Sequence, residues 1–406
     1  MKEPDKKKSW THPRHAFVTN LLKFLGTGFC CRLYGANVEP FRDQGDRPYL
    51  VLFNHQTPFD QFFVGIAFRG PIYYMATEDI FSLGWLSTAL RWLVAPIPIR
   101  KQTTDVQAVM NCMRIAREGG TIAMAPEGNR TYSGRTEYMN PAIAGLAKKL
   151  KLPVALFRIE GGYGAEPRWS NVIRKGSMKA YVSEVIEPEE IAAMTKEELM
   201  QRIQKGLDVR EDCLSGEFLH KKTAEYLERA IYVCPFCGLS QFHSQNDLIT
   251  CRSCGRQIRY LPTKELEGVG FDFPFRFVYP WYEYQKDYVN SLDLTAMTQT
   301  PLFRDRVRLF EVLLYKRKRQ LRKECDLALY GNRVVIDEGT QQELVLSFDE
   351  LQAASCLGRN KLNLYHPDMV YQIKGSKRFN ALKYVNLFFR YKNIIKGDEN
   401  GKFLGL

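Results

Sequence analysis

Short apolar runs alternate with stretches of helical periodicity from about residue 48 onward. The run Tyr49 to Phe53 is wholly apolar and bounded by polar residues, as in a buried strand. Later segments follow the same alternation, with Gly119-Gly120 as a helix stop. The pattern predicts strands over 49–53, 121–125 and 153–159 and helices over 105–118 and 141–150. Strand, helix and strand in succession favour parallel pairing, so we expect an α/β domain whose mostly parallel sheet is flanked by helices.

The pattern changes after Glu187. Residues up to about 229 are charged with helical periodicity, a cysteine-rich segment covers 234–254, and residues 261–270 have the composition of a linker. Alternating segments then predict antiparallel strands over 327–336, 343–348, 361–365 and 370–373, closed by an amphipathic helix over 379–391. We therefore expect a small zinc ribbon and an antiparallel β-barrel-like domain after the α/β domain.

These shifts divide the chain into four parts. We predict a membrane-associating segment over 1–33, the α/β domain over 34–212, a helical linker with the ribbon over 213–262, and a β-rich module over 263–406. A chain of 406 residues is long enough for two or three cores.

An apolar arc marks the first segment. On a helix it collects Phe17, Val18, Leu21, Leu22, Phe24, Leu25 and Phe29, with polar residues opposite. Such a helix suits a membrane interface, and the alternative is a surface helix packed by its apolar face on its own domain. Residues 80–94 are also apolar and predict either a plain core helix or a membrane-facing one.

The charge and the cysteine content of the chain limit its possible binding partners and the cellular compartment in which it works. Lys plus Arg number 58 against 45 Asp plus Glu, a net charge of +13, which favours an anionic membrane or a polyanion. A hydrophobic fraction of 45% argues against a multi-span membrane protein. Ten cysteines are too few for a secreted disulfide framework, and four of them form two close pairs, which indicates a metal site in a reducing compartment.

One imidazole and one carboxylate follow the first predicted strand, in the run Asn54-His55-Gln56-Thr57-Pro58-Phe59-Asp60. Sites in α/β sheets form at strand ends, and an orienting carboxylate beside a histidine makes a general base. The alternative is structural: Thr57 as helix N-cap, Pro58 as the first helical residue and Asp60 as a capping carboxylate. That alternative leaves His55 without a role.

A second group follows the strand at 121–125, in Pro126-Glu127-Gly128-Asn129-Arg130. Gly128 lets the backbone approach a ligand, and the guanidinium of Arg130 suits a phosphate. Arg100 adds a cation at the end of an apolar run. A plain turn with solvated arginines is the alternative.

In order and spacing, these groups resemble the blocks of the glycerolipid acyltransferase family, which includes the bacterial lysophosphatidate acyltransferases. His55 and Asp60 match the His-x4-Asp block, Arg100 the second block, and Pro126, Glu127, Gly128 and Arg130 the third. Leu152-Pro153-Val154 matches the fourth block, and the resemblance covers about residues 15–190. Ala125 and Asn129 depart from the usual residues, as does the segment before Arg100.

The resemblance implies an acyltransferase that moves a fatty acyl group from acyl-CoA or an acyl carrier protein thioester to a lysophospholipid. It implies 1-acylglycerol-3-phosphate as acceptor, within phospholipid biosynthesis, with His55 as base and Asp60 as its orienting partner. Arg100, Glu127, Gly128 and Arg130 would bind the acceptor. Glycerol-3-phosphate or another lysolipid is the alternative acceptor.

Two Cys-x2-Cys-Gly turns carry the metal prediction: Cys234 with Cys237, and Cys251 with Cys254. This spacing is typical of a tetrahedral four-thiolate zinc site, and a closed site predicts a structural role. Zinc ribbons also occur in nucleic-acid-binding proteins. A ribbon scaffold or nucleic-acid-binding protein with an inactive acyltransferase domain is thus the rival class, and the intact His55, Asp60 and Glu127 argue against it.

The last module resembles a pleckstrin-homology-like barrel, and its basic run 316–323 suits lipid headgroups or a solvated face equally. We expect a peripheral or monotopic protein on the cytoplasmic face of the cell membrane. A membrane-tethering role without catalysis is a further alternative. Nucleic acid is not an expected partner.

Overall fold

The computed structural model describes residues 9–77, 85–99, 105–136, 138–212, 214–313, 317–398 and 404–405. Two compact units divide the chain. The first unit contains residues up to Arg130 together with Met139–Gly161 and Ser177–Val209. The second contains Thr131–Tyr138, Gly162–Gly176 and Arg210–Leu406, so its sequence comes from three separate places.

The first unit is built on a seven-stranded sheet. Its strands are β1 (Ala36–Val38), β2 (Leu50–Phe53), β3 (Ile72–Thr77), β4 (Ile97–Ile99), β5 (Thr121–Met124), β6 (Val154–Glu160) and β7 (Met178–Ile186), in the order β1-β7-β6-β2-β5-β3-β4. The pairs formed among strands β2 to β6 are all parallel, whereas β7 is antiparallel to β6. The predicted mostly parallel sheet is confirmed. All four residues of central strand β2 are buried, because its apolar run has no polar face.

Helices flank this sheet. They are α1 (Pro13–Tyr34), α2 (Asp60–Ala67), α3 (Trp85–Val94), α4 (Val106–Arg117), α5 (Ala142–Leu150), α7 (Pro188–Ala193) and α8 (Lys196–Leu207), with α6 (Gly162–Ala165) belonging to the second unit. The predicted helices at 105–118 and 141–150 are confirmed. Asp105 caps α4 through its carboxylate, which accepts from the Ala108 N–H at 3.0 Å.

The second unit contains three sheets. A two-stranded sheet pairs β8 (Val233–Cys234) with β9 (Gly238–Leu239), and a four-stranded sheet holds β10 (Phe242–Gln245), β11 (Leu248–Cys251), β12 (Gln257–Tyr260) and β13 (Leu266–Gly268). Helix α9 (Val278–Ser291) follows. The third sheet has seven antiparallel strands: β14 (Phe303–Val312), β15 (Arg319–Leu329), β16 (Arg333–Ile336), β17 (Leu344–Ser347), β18 (Ala353–Leu357), β19 (Lys361–Tyr365) and β20 (Val370–Gly375).

That third sheet joins two meanders. Strands β14 to β17 form one and β18 to β20 the other, and β14 pairs with β20 to link them into a curled, half-barrel-like sheet. Helix α10 (Leu382–Ile395) packs against β18 and β19. The predicted antiparallel strands and the closing helix are therefore present in this part of the chain.

Three details of the prediction were wrong. The charged stretch up to 229 is α-helical only as far as Leu207. The supposed linker at 261–270 contains β13, which pairs with β12. The segment 327–336 is the end of β15 and all of β16, which pair with each other across a tight turn. In each case the hydrogen-bonded pairing of strands, or its absence, decided the structure, and local periodicity does not record pairing.

Candidate active site and four-cysteine cluster

Strands β2 and β5 are adjacent and parallel, and Leu52 lies opposite Met124. The residues that follow these two strands therefore emerge side by side at the same edge of the sheet. The backbone N–H of His55 donates to Glu127 Oε1 at 3.1 Å. The His-x4-Asp group and the Pro-Glu-Gly group, which lie 72 positions apart along the chain, thus form one site.

His55 and Asp60 form a close pair. Nδ1 of His55 lies 2.7 Å from Asp60 Oδ2, and because an ionised carboxylate can only accept, this nitrogen carries the proton. The Asp60 side chain is completely buried, whereas that of His55 is 27% exposed. In the part of the chain that the structure describes, no hydrogen bond engages Nε2, so this nitrogen is available as a base.

Asp60 also organises the loop before α2. Its carboxylate accepts from the N–H of Gln56 at 2.7 Å, the N–H of Thr57 at 2.9 Å, and the hydroxyl of Thr57 at 2.6 Å. The helix begins at Asp60, so the alternative that placed Thr57 at the N-cap and Pro58 in the first turn was wrong. The carboxylate fastens the loop and the imidazole together rather than capping a helix that starts earlier.

The turn after β5 needs its glycine. The Gly128 N–H donates to the carbonyl of Ala125 at 3.0 Å, and Gly128 has φ +67°, a conformation that side-chain-bearing residues rarely adopt. A side chain on this residue would meet no atom within 4 Å, so there is open space beside the backbone here. Glu127 is buried and Arg130 is half-buried on the same turn. Arg100 lies outside the described residues.

Sequence reasoning gave Asn54 no role. Its side-chain amide donates to the carbonyl of Ile159 at 2.8 Å, and the N–H of Ile159 donates back to Asn54 Oδ1 at 2.7 Å. This pair of bonds joins the loop after β2 to strand β6. The sequence does contain a signal for this role. Asn54 directly follows a wholly apolar strand, and a side-chain amide buried there needs hydrogen-bond partners.

The four predicted cysteine ligands come together. The sulfur atoms of Cys234, Cys237, Cys251 and Cys254 all lie within 4.8 Å of one another and could hold a metal ion. Cys234 and Cys254 are separated by 3.8 Å between sulfurs, and Cys237 and Cys251 by 3.6 Å. A tetrahedron with zinc–sulfur bonds of about 2.3 Å has edges of about 3.8 Å, so the donor set fits that ion.

Each cysteine pair is followed by a glycine in the left-handed region, with φ +76° at Gly238 and +74° at Gly255. At Gly255 the turn is closed by its N–H, which donates to the carbonyl of Cys251 at 2.9 Å. The sequence predicted these two turns. None of the described cysteines forms a disulfide.

One comparison with known proteins matches the part of the chain that holds this site. Residues 30–159 match the family model described as Acyltransferase. The chain is also similar to the crystal structure of the 1-acyl-sn-glycerophosphate (LPA) acyltransferase PlsC from Thermotoga maritima, with 20% sequence identity and a TM-score of 0.41. That similarity covers 48% of this chain and 78% of that chain. No curated protein sequence matches the chain significantly. Its first half thus carries an acyltransferase-like domain, and the family model spans strands β2 and β5 and the loops after them that carry His55 and Glu127.

Proposed function

We propose that this protein transfers a fatty acyl group from acyl-CoA or an acyl carrier protein thioester to the free hydroxyl of a lysophospholipid. The acceptor is 1-acylglycerol-3-phosphate and the product is phosphatidate, which places the reaction in phospholipid biosynthesis. The observation that carries this proposal is the 2.7 Å contact between His55 Nδ1 and Asp60 Oδ2, beside an accessible Nε2. The family match over residues 30–159 supports it.

In this reaction the acceptor hydroxyl gives its proton to His55 Nε2 while its oxygen attacks the thioester carbonyl. The buried Asp60 carboxylate stabilises the imidazolium that forms, since the two charges face each other at hydrogen-bond distance. The tetrahedral intermediate then collapses, the carbon–sulfur bond breaks, and the thiolate leaves with a proton returned by the imidazolium. The products are the ester and the free thiol, and no metal takes part.

The acceptor's phosphate would be held by arginines and by the glycine turn. Gly128 leaves open space beside its backbone, and Arg130 follows it on the same turn. A planar guanidinium binds phosphate through two hydrogen bonds. We assign the same role to Arg100, and we assign Glu127 the task of fixing the loop, through its contact with the His55 N–H.

Acyl transfer by the purified full-length protein tests this function. The assay uses labelled acyl-CoA and acyl carrier protein donors with lysophosphatidate, glycerol-3-phosphate and other lysolipids as acceptors. We expect His55→Ala to lose activity by about 10²–10⁴-fold, the usual effect of removing a general base. His366→Ala is the matched control, because His366 also lies beside a carboxylate, that of Asp368 at 3.5 Å.

Equal activity of wild type and His55→Ala would disprove the catalytic assignment. A folded wild-type protein that transfers no acyl group with any donor would favour the rival, a scaffold with an inactive domain. Turnover of glycerol-3-phosphate in preference to lysophosphatidate would keep the mechanism and change the acceptor.

We further propose that the protein works on an anionic membrane surface, at the cytoplasmic face. The apolar arc of α1 points outward, with Phe24 83% exposed, and neighbouring α3 exposes Trp85 by 76%. Exposed aromatic and aliphatic side chains on adjacent helices suit an interface with lipid. Among the described helices, none combines the length and the hydropathy that a membrane span requires.

Zinc is the metal we propose for the four cysteines, in a structural ribbon. The sulfur separations match a tetrahedral four-thiolate site, and four protein ligands leave no open position for a substrate. Bound zinc would hold the two cysteine turns together.

A further inference from the structure

Three cations lie side by side across the curled sheet of the second unit. Arg308 on β14 lies opposite Lys374 on β20, and Lys374 lies opposite Lys361 on β19. Neighbouring strands are about 4.8 Å apart, so the three positions span about 10 Å. We call Arg308, Lys374 and Lys361 the cation row.

The cation row faces away from the apolar core. The next position along each of the three strands belongs to Leu309, Ile373 and Leu362, which are paired in the same way and are almost completely buried. Successive side chains of a strand point to opposite faces, so the row leaves the sheet on the other side. Arg308 is exposed, and Lys374 and Lys361 are half-buried.

Other outward cations on β14 are neutralised. Arg304 pairs with Glu338 at 2.5 Å, and Arg306 pairs with Glu324 at 2.9 Å. No carboxylate among the described residues forms an ion pair with Arg308, Lys374 or Lys361. Like charges directly opposite each other on a sheet are destabilising. An anion bound across the row would relieve that repulsion.

A fixed polar row borders the cation row on the same face. Gln372 and Asn363 are only 3% and 2% exposed, and the Gln372 amide donates to Asn363 Oδ1 at 3.0 Å. Lys318 donates to Gln372 Oε1 at 2.7 Å and lies 4.6 Å from the centroid of the Phe310 ring. The border is therefore rigid and places one more cation beside the row.

The basic run 316–323 is a poorer candidate for anion binding. Arg319 pairs with Glu311 at 2.7 Å and Arg322 with Asp337 at 2.5 Å, while Lys316 lies outside the described residues. These ion pairs neutralise two of the cations that the sequence pattern suggested for lipid headgroups. The cation row instead combines charges from β14 with charges from the β19–β20 hairpin, about 50 residues further along the chain.

We propose that the cation row binds the phosphate groups of a compact polyanion. The shared chemistry is a cluster of phosphate esters within about 10 Å, as offered by the headgroups of an anionic lipid surface or by a free polyphosphate. A nucleic-acid backbone fits less well, because such sites usually neutralise a longer track of about six to ten phosphates. This proposal does not depend on the acyltransferase activity.

The test compares two double variants of the full-length protein with the same change in net charge. Lys361→Gln/Lys374→Gln removes two members of the row, and Arg304→Gln/Arg306→Gln removes two paired cations from the same sheet face. Binding is measured to tripolyphosphate by calorimetry, and to phosphatidylcholine vesicles with and without phosphatidate by co-sedimentation. Circular dichroism checks that both variants remain folded.

Each lysine near an anionic surface contributes about fivefold to binding, so the row variant is expected to bind about 25-fold more weakly. The control should change binding much less, since its cations are already neutralised. Row-dependent binding to vesicles alone identifies lipid as the source, and row-dependent binding to tripolyphosphate identifies a free ligand. Equal losses in both variants, no binding to either probe, or row dependence seen only with duplex DNA would overturn the proposal.

Discussion

Asp60 accepts hydrogen bonds from four donor groups at once: one imidazole, two backbone N–H groups and one hydroxyl. A carboxylate has enough lone pairs for all of them, and an amide does not. The same residue therefore sets the tautomer of His55 and the shape of the loop that carries it. Its proposed catalytic role and its structural role can be separated by a substitution that keeps the size and removes the charge.

Asp60→Asn should lower kcat by at least about 10²-fold while the protein stays folded. The asparagine oxygen can still accept from the Gln56 or Thr57 N–H groups, but the NH₂ group would donate to His55 Nδ1 and move the imidazole proton to Nε2. The base would then be blocked. Steady-state kinetics with thermal unfolding on the same sample measure both effects.

Asp368→Asn is the control for that substitution, because Asp368 lies beside His366 in a similar pair. It should leave kcat unchanged. The opposite outcome is an Asp60→Asn protein that is much less stable but whose folded fraction has unchanged specific activity. It would show that the carboxylate only holds the loop.

Helix α1 has the reverse of the usual burial pattern. Lys23 and Thr27 from its polar side are half-buried, and the Lys23 ammonium donates to the carbonyl of Phe68, while Phe17 and Phe24 point into solvent. The pKa of Lys23 is lowered by burial. A surface helix packed by its apolar face, the alternative considered from the sequence, is therefore not what the protein forms. The apolar face is left exposed, as the proposed contact with lipid requires.

Phe17→Ser/Phe24→Ser should weaken vesicle binding at high salt by at least about tenfold, because burying one phenylalanine is worth about 1.5–3 kcal/mol and salt does not screen it. Co-sedimentation with phosphatidate-containing vesicles in low and high salt measures the effect. Leu219→Ser/Val345→Ser, which changes two other exposed apolar residues, is the control. Identical binding of the two variants at high salt would exclude α1 as the lipid contact.

The segment before α1 is held by a single carboxylate. Glu118 accepts from the N–H of Trp10 at 2.9 Å, the N–H of Thr11 at 2.8 Å and the hydroxyl of Ser9 at 2.8 Å. Burial alone would raise the pKa of Glu118, but these donors outweigh it and lower the pKa to about 2 from an ordinary value of 4.5. The folded state therefore favours the ionised form, which holds residues 9–11 against the end of α4.

Because the pKa of Glu118 is lower in the folded state, its stabilisation is present above about pH 4.5 and is lost as pH falls toward about 2. Glu118→Gln should lower the free energy of unfolding at pH 7, and the difference from wild type should shrink through that window. Chemical unfolding at several pH values measures it, with the exposed Glu189→Gln as control. A difference that stays constant from pH 7 to pH 3 would contradict this account.

The second unit is assembled from three separate segments of the chain. Segment Gly162–Gly176, which lies between strands β6 and β7 of the first unit, belongs to it. From this segment the guanidinium of Arg174 lies 5.0 Å from the Trp169 ring and 4.8 Å from the Tyr260 ring, and all three side chains are buried. Tyr260 ends β12, in the sheet that follows the cysteine cluster. The four-cysteine cluster is thus part of a core that residues from distant segments complete.

Removing the metal should destabilise this unit without stopping the chemistry. Elemental analysis should find about one zinc per chain, and Cys251→Ser should lose it together with protection from hydrogen exchange over residues 233–268. Zinc binding in small ribbons is worth on the order of 10 kcal/mol, and this free energy is folding free energy. Transfer that depends on His55 should persist in detergent with a soluble donor.

Cys31→Ser, a change outside the cluster, should keep the zinc and the exchange pattern. A Cys251→Ser protein that keeps its fold and loses the chemical step would show that the metal has another role. If the purified protein contained no zinc and all four cysteines were free thiols, the proposed zinc ribbon would be excluded.

Local sequence determined those features that depend only on residues close together in the chain. The apolar run of β2 has no polar face, so it could only be a buried strand. The Cys-x2-Cys-Gly turns fixed the spacing of two sulfurs and the residue with positive φ after each pair. The His-x4-Asp spacing placed an imidazole and a carboxylate on one short loop. None of these depends on a partner far away in the chain.

Tertiary structure decided everything that needed two distant segments. Only the pairing of β2 with β5 brings His55 to Glu127, and only the order β14-β20-β19 gathers Arg308, Lys374 and Lys361. Burial of the polar side of α1 and the role of Asn54 were decided in the same way. The physical reason is that a hydrogen bond or a buried contact between two segments depends on the residues of both. The sequence pattern of one segment does not show which other segment will contact it.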